Sequence, residues 1–348
     1  MHRTLRLRAA TAALTVLAAA GTLTACGDDE GGKSGASGPL RLGYFPNVTH
    51  ATALVGVQKG IFAKHLGAAP RTSTFNAGPA AVEAVFSGAV DATFVGPNPA
   101  INAWAKSHGK AIKIISGAAS GGVSLVVKPG INGVQDLRGK KIATPQLGNT
   151  QDVAVRHWLK KNGLTANKDG SGDVKVVPQE NAQTLQTFAQ GNIDGAWVPE
   201  PFASRLILES KGKKLLDEKS LWPGGKFVIT HLIVRQDFAK KNPDQVKKLL
   251  QGVVESTELI NGKPDEAKAA VNDQLSKLSG KPLKPEVLDS SFKEITFTTD
   301  PVSSSLTEGA RHAEEIGLLE KVDLTGIYDL GPLNSVLKAS GKAQVSDK

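Results

Sequence analysis

Gly88-Ala-Val-Asp-Ala-Thr-Phe-Val95 returns 103 residues later as Gly191-Asn-Ile-Asp-Gly-Ala-Trp-Val198, so one structural design is used twice. Ahead of each copy lies a helical pattern, with Val82, Val85 and Phe86 on the apolar face of the first and Leu185 and Phe188 on that of the second. Gly88 and Gly191 end these helices, because glycine takes the left-handed backbone of a helix stop without strain. The runs Asp91–Val95 and Asp194–Val198 then read as strands. Pro70–Phe75 and Val174–Val177 supply the strands before the helices, and Asn76-Ala-Gly78-Pro79 opens the first helix with proline in its first turn. Further out, Leu40–Tyr44 is a strand followed by a helix bearing Leu54, Val57 and Ile61. Gly139–Thr144 parallels it, ahead of a helix from about Thr150.

Strands alternating with helices predict an α/β protein whose sheets are parallel or mixed, covered on both faces and joined by right-handed crossovers. Ser124–Val127 and Thr230–Arg235 are isolated apolar strands at the two ends of the second unit, and they read as paired crossover strands. The expected organisation is therefore two lobes, 40–127 with 232–348 as lobe I and 128–231 as lobe II, with a ligand cleft between them. Beyond residue 235 the pattern is helical. Val246, Leu249, Leu250, Val253 and Val254 form an apolar face opposite Lys247 and Lys248. In open α/β sheets, ligands lie outside the carboxyl ends of the strands, where loop amides and helix N-termini point. The loops so placed are 44–50, 75–79, 96–99, 116–122, 146–152 and 197–202.

At the N-terminus, Arg3, Arg6 and Arg8 precede an apolar run from Ala9 to Thr24 that ends in Leu23-Thr24-Ala25-Cys26, followed by Gly27, Asp28 and Asp29. A basic start, an apolar centre and small residues before a cut site mark a signal peptide over residues 1–25. The run is short of the ~20 predominantly apolar residues of a comfortable membrane span. Leu-Thr-Ala-Cys resembles the bacterial lipobox, which implies a lipid on Cys26 as the first mature residue and an extracytoplasmic body anchored to the cell membrane. Residues 26–39, rich in Gly, Ser, Asp, Glu and Lys, read as a flexible tether.

Composition narrows the function. The 348 residues are about two domains' worth. A single Cys leaves neither a disulfide framework nor a Cys-based zinc site, and neither a metal nor a cofactor is expected. The formal charge of +9 includes the three arginines of the signal peptide, the lysines scatter over helical faces, and aromatic residues are only 5%, so nucleic acid is not an expected partner. The chain contains no Gly-x-Ser-x-Gly elbow, no His-Glu-x-x-His and no phosphate-binding Gly-x-x-x-x-Gly-Lys-Ser/Thr loop, and its seven His are dispersed, which argues against an enzyme.

Five segments carry a family resemblance: Gly43-Tyr-Phe-Pro-Asn47-Val-Thr-His50, Gln58-Lys-Gly-Ile-Phe62, Phe75-Asn-Ala-Gly-Pro79, Gly88-x-Val-Asp91 and Ala196-Trp-Val-Pro-Glu-Pro201. Their order and spacing, over residues from about 40 to about 320, resemble the solute-binding proteins of ABC importers for nitrate, sulfonates and taurine, with the aliphatic sulfonate branch closest. The same superfamily includes binders of the thiamine pyrimidine precursor and some enzymes of that branch. The resemblance implies the two-lobed periplasmic-binding fold of type II, a monomer, a small anionic ligand and a membrane permease as partner.

The loops expected at the cleft hold no Lys or Arg but many neutral donors, which suits a sulfonate because it stays ionised and asks only for donors. Candidate ligand residues are Asn47, Thr49 and His50, then Asn76 and Gly78, Asn98, Ser120, and Asn149, Thr150 and Gln151. Asn149 and Thr150 serve equally well as plain helix caps, and His50 as a structural first-turn histidine. Trp197 is either an apolar wall for an alkyl tail or core. Glu200 either points away and caps a helix ahead of Pro201 or faces a cationic part of the ligand, as with taurine or an aminopyrimidine.

Overall fold

Short apolar runs separated by amphipathic helices fold as expected into an α/β body with two sheets. The computed structural model describes residues 38–347. The signal peptide at 1–25, Cys26 and the tether up to residue 37 lie outside the described residues. The strands are β1 Arg41–Tyr44, β2 Arg71–Thr74, β3 Ala92–Val95, β4 Ile112–Gly121, β5 Val123–Val127, β6 Lys141–Thr144, β7 Lys175–Pro178, β8 Gly195–Pro199, β9 Lys213–Asp217, β10 Val228–Arg235 and β11 Ile295–Phe297. The helices are α1 Ala51–Gln58, α2 Ile61–Leu66, α3 Gly78–Phe86, α4 Pro97–Lys106, α5 Thr150–Lys161, α6 Asn181–Ala189, α7 Phe202–Ser210, α8 Gln236–Lys241, α9 Pro243–Gly262, α10 Pro264–Ser279, α11 Pro285–Glu294, α12 Ser303–Glu315 and α13 Gly331–Ala339. Among the described residues no helix is long and apolar enough to cross a membrane.

The first sheet has the order β11-β4-β10-β3-β1-β2 and the second β7-β6-β8-β5-β9. In the first, β2, β1 and β3 run parallel and β10 lies antiparallel to β3. In the second, β7, β6 and β8 run parallel and β5 lies antiparallel to β8. The repeat therefore reaches the hydrogen bonds: Asp91 accepts the backbone N–H of Arg41 at 2.9 Å, and Asp194 accepts that of Lys141 at 2.8 Å. Gly88 and Gly191 both take positive φ, +72° and +79°, at the helix stops. The shared Gly-x-Val/Ile-Asp pattern is thus a device that locks a helix end to the start of a neighbouring parallel strand.

One expectation is corrected. The strands Ser124–Val127 and Thr230–Arg235 do not pair with one another: β5 belongs to the second sheet and β10 to the first. The chain changes sheets at Gly121-Gly122 and again between β9 and β10, not at residues 127 and 232. Gly121 and Gly122 have φ of +80° and +73°, and a Cβ on Gly121 would lie 2.8 Å from the Glu294 carbonyl oxygen, so the crossing needs glycine at both places. The segment 116–122 is likewise no loop. Residues 116–121 are the far half of β4, which β10 and β11 pair on either side, and Gly122 alone separates it from β5.

The core follows from the periodicity. On α9, Val246, Leu249, Leu250, Val253 and Val254 are buried while Lys247 and Lys248 face solvent. Leu42, Tyr44, Phe62, Phe94, Ile142 and Trp197 are among the buried side chains of the main cluster. At about 25 cal/mol per Å² of apolar surface removed from water, such clusters supply the main stabilising term.

Candidate functional site

The carboxyl ends of β1, β2 and β3 in one sheet and β6, β7 and β8 in the other converge on a polar cavity with about 370 Å³ of empty space, open to solvent. This is where open α/β sheets place ligands. The first sheet contributes Phe45, Asn47, Thr49, His50, Asn76, Gly78 and Gly96, and the second contributes Asn149, Thr150, Gln151 and Asn181. No Lys, Arg, Asp or Glu lines it. Gly78, Thr150 and Asn181 are the first residues of α3, α5 and α6, and Gly96 caps α4. Each helix start carries roughly half a positive charge and amides with no partner inside the helix, so the cavity is positive without a cationic side chain. Among the described residues no group of three or more His, Cys, Asp or Glu is placed to hold a metal ion.

His50 is nearly fully buried and stacks on Phe45 at 4.3 Å between ring centroids. Its Nδ1 accepts the Phe45 N–H at 3.3 Å, which leaves the proton of the neutral ring on Nε2 as a donor. Burial lowers its pKa from 6.5 to about 3. A neutral donor of this kind does not titrate in the ordinary range, so ligand affinity is expected to change less than about twofold between pH 5 and pH 8. Calorimetry across that range checks this, and a fall in affinity following a pKa near 6.5 would show that His50 binds as a cation.

The Asn149 side chain caps α5, its oxygen accepting the Asp152 N–H at 3.0 Å. Asp152 is fully buried and also accepts from Thr144 Oγ1 at 3.1 Å, from the Gly148 N–H at 3.0 Å and from Arg156 Nε at 3.1 Å. Arg156 in turn donates through Nη1 to the carbonyls of Ala166 and Asn167. This network shapes the loop from Thr144 to Thr150. Asn47 starts the 3-10 turn at Val48–His50 without a side-chain cap bond, and the Thr49 carbonyl accepts the Thr230 hydroxyl at 3.0 Å. Hydrogen bonds span the cleft beside the cavity, among them Asn76 Nδ2 to Glu180 at 2.6 Å and Asn102 Nδ2 to the Gly148 carbonyl at 3.5 Å. Thr150 Oγ1 and Asn181 Oδ1, both buried, have no partner in the protein. A buried polar atom without a partner costs about 1–3 kcal/mol, and of these two the hydroxyl can donate whereas the amide oxygen only accepts.

Of the residues expected from the sequence, Asn47, Thr49, His50, Asn76, Gly78, Asn149, Thr150 and Gln151 meet at this cavity. Four do not. Asn98 donates to the Gly309 carbonyl at 3.1 Å, because the second residue of α4 turns towards α12. Ser120 lies in the β4 ladder opposite Val228 and Thr296. Trp197 is core, its Nε1 donating at 2.7 Å to Glu218, whose pKa burial pushes up to about 7. Glu200 is buried away from the cavity, accepting the Ser204 N–H at 3.1 Å and the Ser291 hydroxyl at 3.0 Å, and burial raises its pKa. Asn181 was missed, although the repeat points to it: it stands 103 residues after Gly78, at the same helix start.

The NMT1-like family model matches residues 34–273. The taurine-binding periplasmic protein of Escherichia coli (strain K12) is 27% identical over 282 residues, which is 78% of this chain and 85% of that protein. Among solved structures, the alkanesulfonate-binding protein SsuA from Xanthomonas axonopodis pv. citri, bound to MOPS, superposes with a TM-score of 0.69 at 21% identity, covering 85% of this chain and 99% of that one. The periplasmic nitrate-binding protein NrtA from Synechocystis PCC 6803 gives 0.73 at 16% identity, covering 86% and 88%. These neighbours share the two-lobed periplasmic-binding fold with this chain.

Proposed function

Because the chain belongs to the NMT1-like family, we propose that it captures an aliphatic sulfonate outside the cytoplasm and delivers it to the membrane permease of an ABC importer. It is a solute-binding protein and not an enzyme. The observation that supports the sulfonate reading is the cage of neutral donors and helix starts around the buried, unpartnered Thr150 hydroxyl, with neither cation nor carboxylate in its wall. A permanently ionised three-oxygen head group needs many donors and no countercharge, and helix N-termini supply them. An aminopyrimidine would need strong acceptors, and Glu200, the nearest candidate in the sequence, is tied to Ser204 and Ser291 instead. The site takes donors from both sheets, so the ligand favours the arrangement that closes them on each other.

Calorimetry with butanesulfonate, taurine, nitrate, bicarbonate and formylaminopyrimidine tests the reading. A sulfonate is expected to bind tightest, and a clear preference for any of the last three would sink it. The same reading places a lipid on Cys26 and a tether after it, supported by the sequence alone. Labelling with a palmitate analogue, expected in the parent protein and absent from Cys26→Ala, checks the anchor.

A further inference from the structure

On the side away from the cavity, the second sheet ends in loops that carry a surplus of positive charge. Segments 128–141, 162–175, 190–194 and 210–213 hold eight Lys and Arg against four Asp. Strand register lines the cations up. Lys141 and Lys175 start β6 and β7 as neighbours in the parallel ladder, Lys213 starts β9 opposite Val127, and Lys128 follows Val127 at the end of β5. Arg138, Lys168 and Lys211 stand in the loops beside them and are exposed, as are Lys141, Lys175 and Lys213.

The carboxylates of this edge turn back onto their own loops. Asp136 accepts the Asn132 N–H at 2.8 Å, Asp169 the Ser171 N–H at 3.0 Å, Asp173 the Thr165 N–H at 2.9 Å and Asp194 the Lys141 N–H at 2.8 Å. Of the eight cations, only Arg138, with Asp173, and Lys140, with Asp194 at 3.9 Å, have a carboxylate partner among the described residues. At the matching edge of the first sheet the arginines of β1 and β10 are tied down instead: Arg41 Nε donates to Asp91 at 3.0 Å and Arg235 Nε to Asp237 at 3.0 Å.

Exposed ammonium groups on flexible stems suit a diffuse layer of phosphates, and with no aromatic residue in the four segments the edge offers nothing on which a nucleobase would stack. We propose that this edge rests on the anionic phospholipid surface of the membrane, held by charge, while the cavity at the opposite ends of β6, β7 and β8 stays open to its ligand. The proposal adds a partner to the protein. It rests on the reading that the protein works outside the cytoplasm beside a membrane, and not on the choice of a sulfonate.

The test is co-sedimentation of the full chain carrying Cys26→Ala, which has no lipid of its own, with vesicles of phosphatidylcholine alone or mixed in equal parts with phosphatidylglycerol. Binding to the mixed vesicles is expected to exceed binding to the neutral ones, and to be lost as salt rises from about 0.01 M to about 1 M and the Debye length falls from about 30 Å to about 3 Å. Lys141→Gln, Lys175→Gln, Lys211→Gln and Lys213→Gln together should lower partition onto the mixed vesicles about a hundredfold or more. The same removal of charge from α8 and α9, by Lys240→Gln, Lys241→Gln, Lys247→Gln and Lys248→Gln, should change it less than about threefold. All eight lysines are exposed, so both sets are compatible with folding. Equal losses in the two sets would mean that overall charge, not this edge, meets the membrane, and equal binding to both kinds of vesicle would remove the membrane as a partner. Either result overturns the proposal and leaves ligand capture, read by calorimetry in the same variants, untouched.

Discussion

A Thr150→Val variant is expected to bind ligand about ten- to a hundredfold more weakly while remaining at least as stable as the parent without ligand. The two effects have one cause. Thr150 Oγ1 is buried at the first position of α5 with no partner in the protein. Replacing that hydroxyl with a methyl group of similar shape removes an unpaired polar atom from the interior, which costs the unliganded fold nothing and relieves part of a penalty of about 1–3 kcal/mol. The ligand, however, loses a hydrogen bond from a neutral donor to an anion. Such bonds are worth about 1.5–3 kcal/mol, or a little over one to two decades in affinity. Thermal unfolding without ligand and calorimetry with it give the two readouts. Parent-like affinity would place Thr150 outside the ligand's contacts, and a large loss of stability would mean that the hydroxyl has a partner in solution.

Arg156→Ala is expected to cost about 3–5 kcal/mol of folding stability, the largest effect of any single change considered. Asp152 and Arg156 lie four residues apart on α5, 3.1 Å from each other, with side-chain exposures of 0% and 2%. Removing the arginine leaves a carboxylate in the interior without its countercharge, and the cost of breaking such a pair exceeds what the pair itself contributes. The carbonyls of Ala166 and Asn167 lose their donor as well. Adding Asp152→Asn to the variant should recover part of the loss, because the stranded charge is gone. Urea unfolding of the single and double variants measures this. A double variant no more stable than Arg156→Ala would mean that the carbonyl contacts, not the charge, dominate. Since Asp152 also holds Thr144 and Gly148, the single variant should weaken ligand capture too, through the shape of the loop that ends in Asn149 and Thr150.

The sequence alone was sufficient for the repeated unit and for the loops that carry the site, because both are local. Gly88 and Gly191 stop helices through their own φ, and Asp91 and Asp194 reach backbone amides of the strand beside them. Strand ends followed by Asn, Thr, Gly or His mark the carboxyl edge of a sheet, and eight of the residues named on that basis line one cavity. Strand exchange was out of reach of a local pattern. β5 and β10 are both apolar on each face, and nothing in such a run says which sheet will take it. That choice depends on backbone pairing with β8 and β3, each some 70 to 140 residues away in sequence. Side-chain direction was also a tertiary matter. Asn98 lies two residues from Gly96, but a helix turns about 100° per residue and carries it to α12. Trp197 faces the core because alternate residues of a strand face opposite ways, and the buried Glu218 that meets it comes from the segment between the sheets. Glu200 lies beside the site in sequence and outside it in space, because the Ser204 amide and the Ser291 hydroxyl, the latter from a helix some 90 residues further on, hold its carboxylate away from the cavity.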